Sequence, residues 1–216
     1  MKRGKYESRS KNNWSAAESQ RIPEETDPVK MAVMYLHDMV YLLAVVILLF
    51  LLVFRIATVS GDSMYDTLVD GDYLLLLGNL FYTDPQQGDI IVASKTSYDN
   101  GAPIVKRIIA TEGQTVDIDF SQGVVYVDGK ALEEPYTYTP TELQEGMTFP
   151  LTVDDGCYFV MGDNRNISKD SRNPEIGLID RREILGKVIL LFFPGTDGGA
   201  LQRDFSRIGV LNHGAG

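Results

Sequence analysis

Val124-Val125-Tyr126-Val127-Asp128-Gly129-Lys130 is the stretch on which the fold turns: four β-branched or aromatic residues followed by an Asp-Gly pair. Such side chains suit a pleated, half-buried surface, and Asp-Gly tolerates the positive φ that closes a tight hairpin. The same pattern recurs on both sides. Runs of this composition lie at Tyr73–Leu77, Asp89–Ala93, Ile104–Ala110, Thr115–Ile118, Cys157–Met161 and Lys187–Phe193, with turn dipeptides at Asp70-Gly71, Asn100-Gly101 and Asp155-Gly156. No fixed period links them, which weighs against propellers and solenoids. The chain is therefore expected to be mostly β, with residues 58–216 forming an all-β domain of packed sheets or a partly closed barrel. Short helical turns are expected near 141–146 and 181–184.

Upstream the pattern changes. Met39 to Phe54 are sixteen consecutive apolar residues, interrupted at Arg55 and continued by Ile56 and Ala57. A bilayer span needs roughly 20 apolar residues, and an Arg at its end can reach the headgroups, so residues 37–57 read as a transmembrane signal-anchor helix. A buried helix of a soluble domain would show a polar stripe, and this run has none. A cleaved leader fits poorly, because the preceding tail is long and no small-x-small site closely follows Phe54. Residues 1–37 carry seven Lys and Arg against five acids. Positive charge beside a span keeps that side in the cytoplasm. Residues 1–36 are thus expected to be a disordered, basic, cytoplasmic tail, and residues 58–216 to be extracytoplasmic on a single-pass cell-membrane protein. The lipid bilayer is then a partner.

Composition narrows the function. Of 216 residues, 44% are apolar and 23% charged, and thirty acids against twenty bases leave a net charge of -10. A nucleic-acid surface needs clustered Lys and Arg, so nucleic acid is not an expected partner. The single Cys157 excludes an internal disulfide and any zinc site needing two cysteines, and no cofactor is expected. Asp117 to Gly123 superficially suggests a calcium loop, but its Gly is misplaced and the closing Glu is missing, so a hairpin is the better reading.

The residues able to do chemistry are few. His37 sits at the mouth of the span and His213 in a Gly-rich tail, so a serine nucleophile here would need a base other than His, and a lysine is the substitute. Ser60-Gly61-Asp62-Ser63-Met64 follows the span directly, although a solvated turn would have the same composition. In Ile104-Val105-Lys106-Arg107-Ile108-Ile109, period-two alternation puts Lys106 on one face and Arg107 on the other, each among aliphatics. Arg107 reads as a strand-edge charge reaching water. Lys106 reads either the same way or as a desolvated amine with a depressed pKa, able to take a serine proton near neutrality. Gly162-Asp163-Asn164-Arg165-Asn166-Ile167-Ser168-Lys169-Asp170-Ser171-Arg172 is either an exposed loop or an ion-paired loop held rigid beside a site.

Together these segments resemble the type I signal peptidases, membrane-anchored serine endopeptidases that remove signal peptides from secreted proteins. The likeness covers nearly all of the chain after residue 37. It rests on Ser60 to Leu68, Gly88-Asp89-Ile90-Ile91-Val92, Val105-Lys106-Arg107-Ile108-Ile109 and Gly162-Asp163-Asn164-Arg165 with Ser168, Asp170, Ser171 and Arg172. Val127-Asp128-Gly129-Lys130, Glu134-Pro135-Tyr136 and Gly186-Lys187 agree with it. The resemblance implies a Ser/Lys dyad with Ser63 as nucleophile and Lys106 as general base, and Ser168 orienting the Lys106 amine. It also implies the Ser63 N–H as oxyanion donor, and Asp163, Arg165, Asp170 and Arg172 as structural ion pairs of the loop. Some members place a second donor, a serine hydroxyl, two residues before the nucleophile. Here that position is Gly61, which is the expected second oxyanion position with the donor group left open, and the usual proline is here Asp66.

The implied partners are signal-peptide-bearing preproteins with small residues one and three positions before the cut. Val59, Met64, Leu68 and Val105 are candidates to line the pockets, with core packing as the alternative. Ser63 lies eight residues beyond Arg55, at most about 28 Å of extended chain from the membrane boundary. A reading of a different class is a catalytically silent, membrane-anchored β domain that binds exported chains or partners.

Overall fold

The computed structural model describes residues 27–196 and 202–211. Most of the tail expected over 1–36, together with His213, lies outside the described residues. The first element is a 26-residue helix, α1, over Pro28–Val53, of which no residue is buried. It begins earlier than the expected residue 37 because Asp27 and Pro28 form a helix start: the Asp27 carboxylate accepts from Val29 N–H at 3.0 Å. Proline also fits the first helical position, where its missing N–H costs nothing. His37 is consequently inside α1 and not at its mouth.

The expected extension of that helix through Arg55, Ile56 and Ala57 is not seen. Phe54–Thr58 is instead a strand, β1, whose residues pair antiparallel with Tyr73–Leu77 of β2 (Tyr73–Gly78), so its backbone groups are satisfied by a sheet and not by a helical turn.

Ten further strands follow: β3 (Ile90–Ser94), β4 (Pro103–Ala110), β5 (Thr115–Asp119), β6 (Val124–Val127), β7 (Lys130–Ala131), β8 (Leu151–Thr152), β9 (Cys157–Met161), β10 (Ile179–Asp180), β11 (Ile184–Phe193) and β12 (Gly209–Val210). The larger sheet has the order β1-β2-β11-β3-β4-β9-β10, with β12 pairing the far half of β11 at Leu190 and Leu191. The smaller has the order β7-β6-β5-β8. Both sheets are antiparallel and neither closes into a barrel, in keeping with the expected all-β domain. Asp128 and Gly129 both have positive φ at the β6–β7 turn, as the opening stretch of sequence requires. The Asp117 segment is the β5–β6 hairpin. A 3₁₀ turn occupies Arg181–Glu183, whereas 141–146 is irregular.

The core divides by sheet face. In β3, Ile90 and Val92 pack with Val59, Met64, Leu68 and Leu74, while Ile91 and Ala93 pack on the opposite face with Ile108, Val160 and Ile184. A third cluster, Ile109, Val116, Val125, Phe159 and Met161, joins the two sheets. The alternation along β4 therefore feeds separate cores and leaves Lys106 and Arg107 to be accommodated within them.

Candidate active site

Ser63 lies in the turn between β1 and β2. Tyr65 N–H donates to Asp62 C=O at 3.1 Å and Leu68 N–H to Met64 C=O at 2.9 Å. The buried side chains of Met64 and Leu68 root this turn in the core. Lys106 arrives from β4, directly opposite Ile91 of β3. Its Nζ is 2.7 Å from Ser63 Oγ, and the residue is only 4% exposed. Burial lowers the Lys106 pKa from 10.5 to about 8, against the upward pull of Asp170, Glu145 and Asp163. Burial wins by roughly 3 kcal/mol against the charged form. Among the described residues no carboxylate forms an ion pair with Lys106. When charged, the amine donates to Oγ; when neutral, its lone pair can accept the serine proton.

The loop 162–172 surrounds this pair and is neither exposed nor loose. Gly162 sits against the turn carrying Ser63 so closely that a Cβ there would lie 2.3 Å from both Ser63 O and Ser168 Oγ. Asn164 N–H donates to Ser63 C=O at 3.0 Å, and Asn164 Nδ2 to Asp62 C=O at 3.1 Å. The four loop ions named from the sequence are buried and paired. Asp170 takes Arg172 at 2.8 Å through both carboxylate oxygens. Arg165 pairs with Glu134 and donates to Thr141 at 2.8 Å. Asp163 takes Arg107 at 2.9 and 2.7 Å and Thr67 Oγ1 at 2.6 Å.

That last contact corrects the expectation for Arg107. It is 1% exposed, donates to Gly88 C=O as well as Asp163, and stacks 3.9 Å from the Tyr136 ring centroid. A buried guanidinium is tolerable only when its donors are used in this way. Arg107, Asn164, Glu134 and Tyr136 are site-supporting residues whose roles were not legible in the strand pattern. Their one sequence signal was their place inside the quoted motifs.

Other expectations are modified. Ser168 is buried beside Gly162, but its hydroxyl donates to Lys169 C=O at 3.4 Å, and no hydrogen bond joins it to Lys106 among the described residues. Gly61 cannot serve as an oxyanion donor in this arrangement, because its N–H is already given to the Asp70 carboxylate at 2.8 Å. The Ser63 N–H, by contrast, has no acceptor among the described residues. A cleft of about 570 Å³ opens at Ser63 and Lys106, lined also by Val59, Ala102, Ile104 and Val105. Val59 and Val105 line the cleft while also packing on the core cluster that holds Met64 and Leu68, which do not line it.

The cleft also meets an open strand edge. Ile108 exchanges both backbone bonds with Gly88 and Asp89 on the β3 side, so Val105 N–H and C=O point to the other side. There β9 pairs β4 only from Arg107 onward.

The close approach at Gly162 makes one substitution decisive. Gly162→Ala should cut turnover by about a hundredfold or more, since a displacement near 1 Å at the reacting groups costs that much. It should also lower Tm, because overpacking typically costs about 1–3 kcal/mol. Wild-type turnover and Tm in the purified variant would show that the contact is not as described.

Residues 32–193 match the family model described as signal peptidase, peptidase S26. Among curated relatives, a probable signal peptidase I-1 from Synechocystis is 35% identical over 82% of this chain and 92% of its own. Signal peptidase I T of Bacillus subtilis is 38% identical over 63% of this chain and 72% of its own. A solved signal peptidase I from Enterococcus faecalis is 30% identical, covers 49% of this chain and 97% of that chain, and superposes with a TM-score of 0.39. The serine and lysine brought together above lie within the matched span, and the chain belongs to the signal peptidase family, peptidase S26.

Proposed function

We propose that the chain is a type I signal peptidase that hydrolyses the bond after the signal peptide of exported preproteins, with Ser63 as nucleophile and Lys106 as general base. The observation that carries this reading is the 2.7 Å contact between a buried, hydroxyl-bonded amine and Ser63 Oγ. Neutral Lys106 takes the Ser63 proton as Oγ attacks the carbonyl carbon, and the C–O bond forms as the carbonyl becomes an oxyanion. The free Ser63 N–H supports that oxyanion. Collapse breaks the C–N bond, and the Lys106 ammonium protonates the departing amine. Water, deprotonated by the same lysine, then hydrolyses the ester and frees Ser63.

An extended substrate would lie along the open side of β4, with its backbone bonded to Val105, which is strand addition. Its side chains next to the cut would meet Val59, Ala102, Ile104 and Val105, a surface suited to small apolar groups. The helix α1, 26 residues and about 39 Å long, is long enough to cross a bilayer core of about 30 Å. In this reading it is the anchor, the segment before it is cytoplasmic, and the β domain after it is extracytoplasmic, as the basic tail favours.

Three measurements test the reading. Purified Ser63→Ala and Lys106→Ala chains in detergent should lose at least about a thousandfold in signal-peptide release. Undiminished release would leave the silent binding domain as the better account. Second, a base with a depressed pKa is inactivated by protons. The rate should therefore rise about tenfold per pH unit below a midpoint near 8 and level off above it; a flat profile from pH 6 to 8 would contradict this. Third, protease added to intact cells should digest the β domain, whereas sparing it there and cutting it in inverted vesicles would reverse the orientation.

A further inference from the structure

Asn164 touches the nucleophile turn twice, and the two contacts fall on the peptide units either side of Ser63 Cα. Its side-chain Nδ2 donates to Asp62 C=O at 3.1 Å, and its backbone N–H donates to Ser63 C=O at 3.0 Å. The Asp62 carbonyl belongs to the same planar unit as the Ser63 N–H. That unit is trans, so the two groups point in opposite directions, and whatever holds one aims the other. The Asp62 oxygen accepts a second bond from Tyr65 N–H at 3.1 Å. A carbonyl that accepts bonds polarises its own peptide unit and strengthens the N–H at the other end.

Asn164 is itself held firmly. Its residue is 4% exposed, and its C=O accepts from Ile167 N–H at 3.2 Å and Ser168 N–H at 3.0 Å. The preceding Asp163 is clamped by Arg107 and Thr67. The chain of support therefore runs from the buried ion pair through Asn164 to the orientation of one amide proton.

We propose that Asn164 is a positioning residue that aims the Ser63 N–H at the developing oxyanion, by fixing the Asp62–Ser63 peptide plane through its side chain and the following plane through its backbone. The proposal rests on the reading of Ser63 as nucleophile. An oxyanion donor acts at full strength only when it already points at the place where charge develops. Removing the Nδ2 contact leaves that plane to Tyr65 alone and lets the N–H swing, so the loss should appear in the transition state and not in substrate binding.

The test uses the full-length chain in detergent, with Asn164→Ala assayed at a pH above the titration midpoint so that a shift in Lys106 does not enter. We expect kcat to fall about 10- to 100-fold, short of the roughly 10²–10³-fold cost of deleting such a donor outright, with KM changed less than about twofold. A peptide aldehyde, which forms a tetrahedral adduct with Ser63, should weaken by the same factor as kcat. An uncleavable peptide of the same sequence should bind as to the wild type. A folded Asn164→Ala chain with kcat and aldehyde affinity within about twofold of the wild type would overturn the proposal, as would equal losses for the aldehyde and the uncleavable peptide, which mark general damage to the cleft.

If Asn164→Ala does not fold, Asn164→Leu keeps the volume while removing the donor and adding no charge, and is read by the same criteria. A structure of the wild-type chain with the aldehyde bound needs no variant. The adduct oxygen should lie within hydrogen-bond distance of Ser63 N with the Asn164–Asp62 contact intact, and an oxygen turned elsewhere would overturn the proposal. Ser63→Ala run alongside separates the two claims. A dead Ser63→Ala with a normal Asn164→Ala removes only the positioning role, whereas an active Ser63→Ala removes the mechanism beneath it.

Discussion

Everything at this site depends on keeping one amine out of water without giving it a carboxylate. Lys106 Nζ meets Ser63 Oγ at 2.7 Å, and the lysine itself is buried. Burial is the largest cause driving its pKa down, and an adjacent unpaired acid would drive it up again. Of the three acids that pull it upward, Asp170 and Asp163 are each held by an arginine, Arg172 and Arg107 respectively, while Glu145 accepts from Asp170 N–H at 3.3 Å. These pairs are expensive to bury and contribute little net stability as isolated contacts. Their consequence lies in what they prevent, since a carboxylate committed to a bidentate guanidinium has less field to offer Lys106. The Arg172 charge also acts directly to lower the lysine pKa.

The fold supplies this environment through strand alternation. Successive residues of β4 face different cores, so Lys106 and Arg107 point to opposite sides and perform unlike tasks only one residue apart. Arg107 ties the strand to Asp163 and to Gly88 C=O before β3, while Lys106 reaches the turn that carries Ser63. Gly162 then lets the end of β9 pass against the Ser63 carbonyl where no side chain would fit. Because β9 pairs β4 only from Arg107 onward, the edge at Val105 stays open beside Ser63 and Lys106.

Much of this was legible beforehand. Strand runs bounded by Gly-containing turns marked β2 to β6, β9 and β11 because β-branched and aromatic composition and positive-φ dipeptides are local properties. The apolar helix was equally plain, but its ends were not. Asp27-Pro28 is a cap signal that hydrophobicity outweighs, and whether Phe54–Thr58 continues a helix or joins β2 depends on a partner distant in sequence. Arg107 departs from a strand-edge charge for the same reason: its burial is decided by Asp163 and Tyr136, far away along the chain. Family motifs pointed to Ser63 and Lys106, yet they could not say that the Gly61 N–H is already committed to Asp70 or that Ser168 turns to Lys169. Those depend on hydroxyl and peptide orientations, which no residue pattern encodes.

The most direct test of the account is a titration of Lys106 itself, by following the ¹³Cε resonance of a chain labelled at lysine and assigning the signal by its loss in Lys106→Arg. The account requires a midpoint near 8, well below the ordinary 10.5. A Lys106 that stays protonated until about pH 10.5 would mean that the amine is solvated or ion-paired in solution, and the serine would have no base.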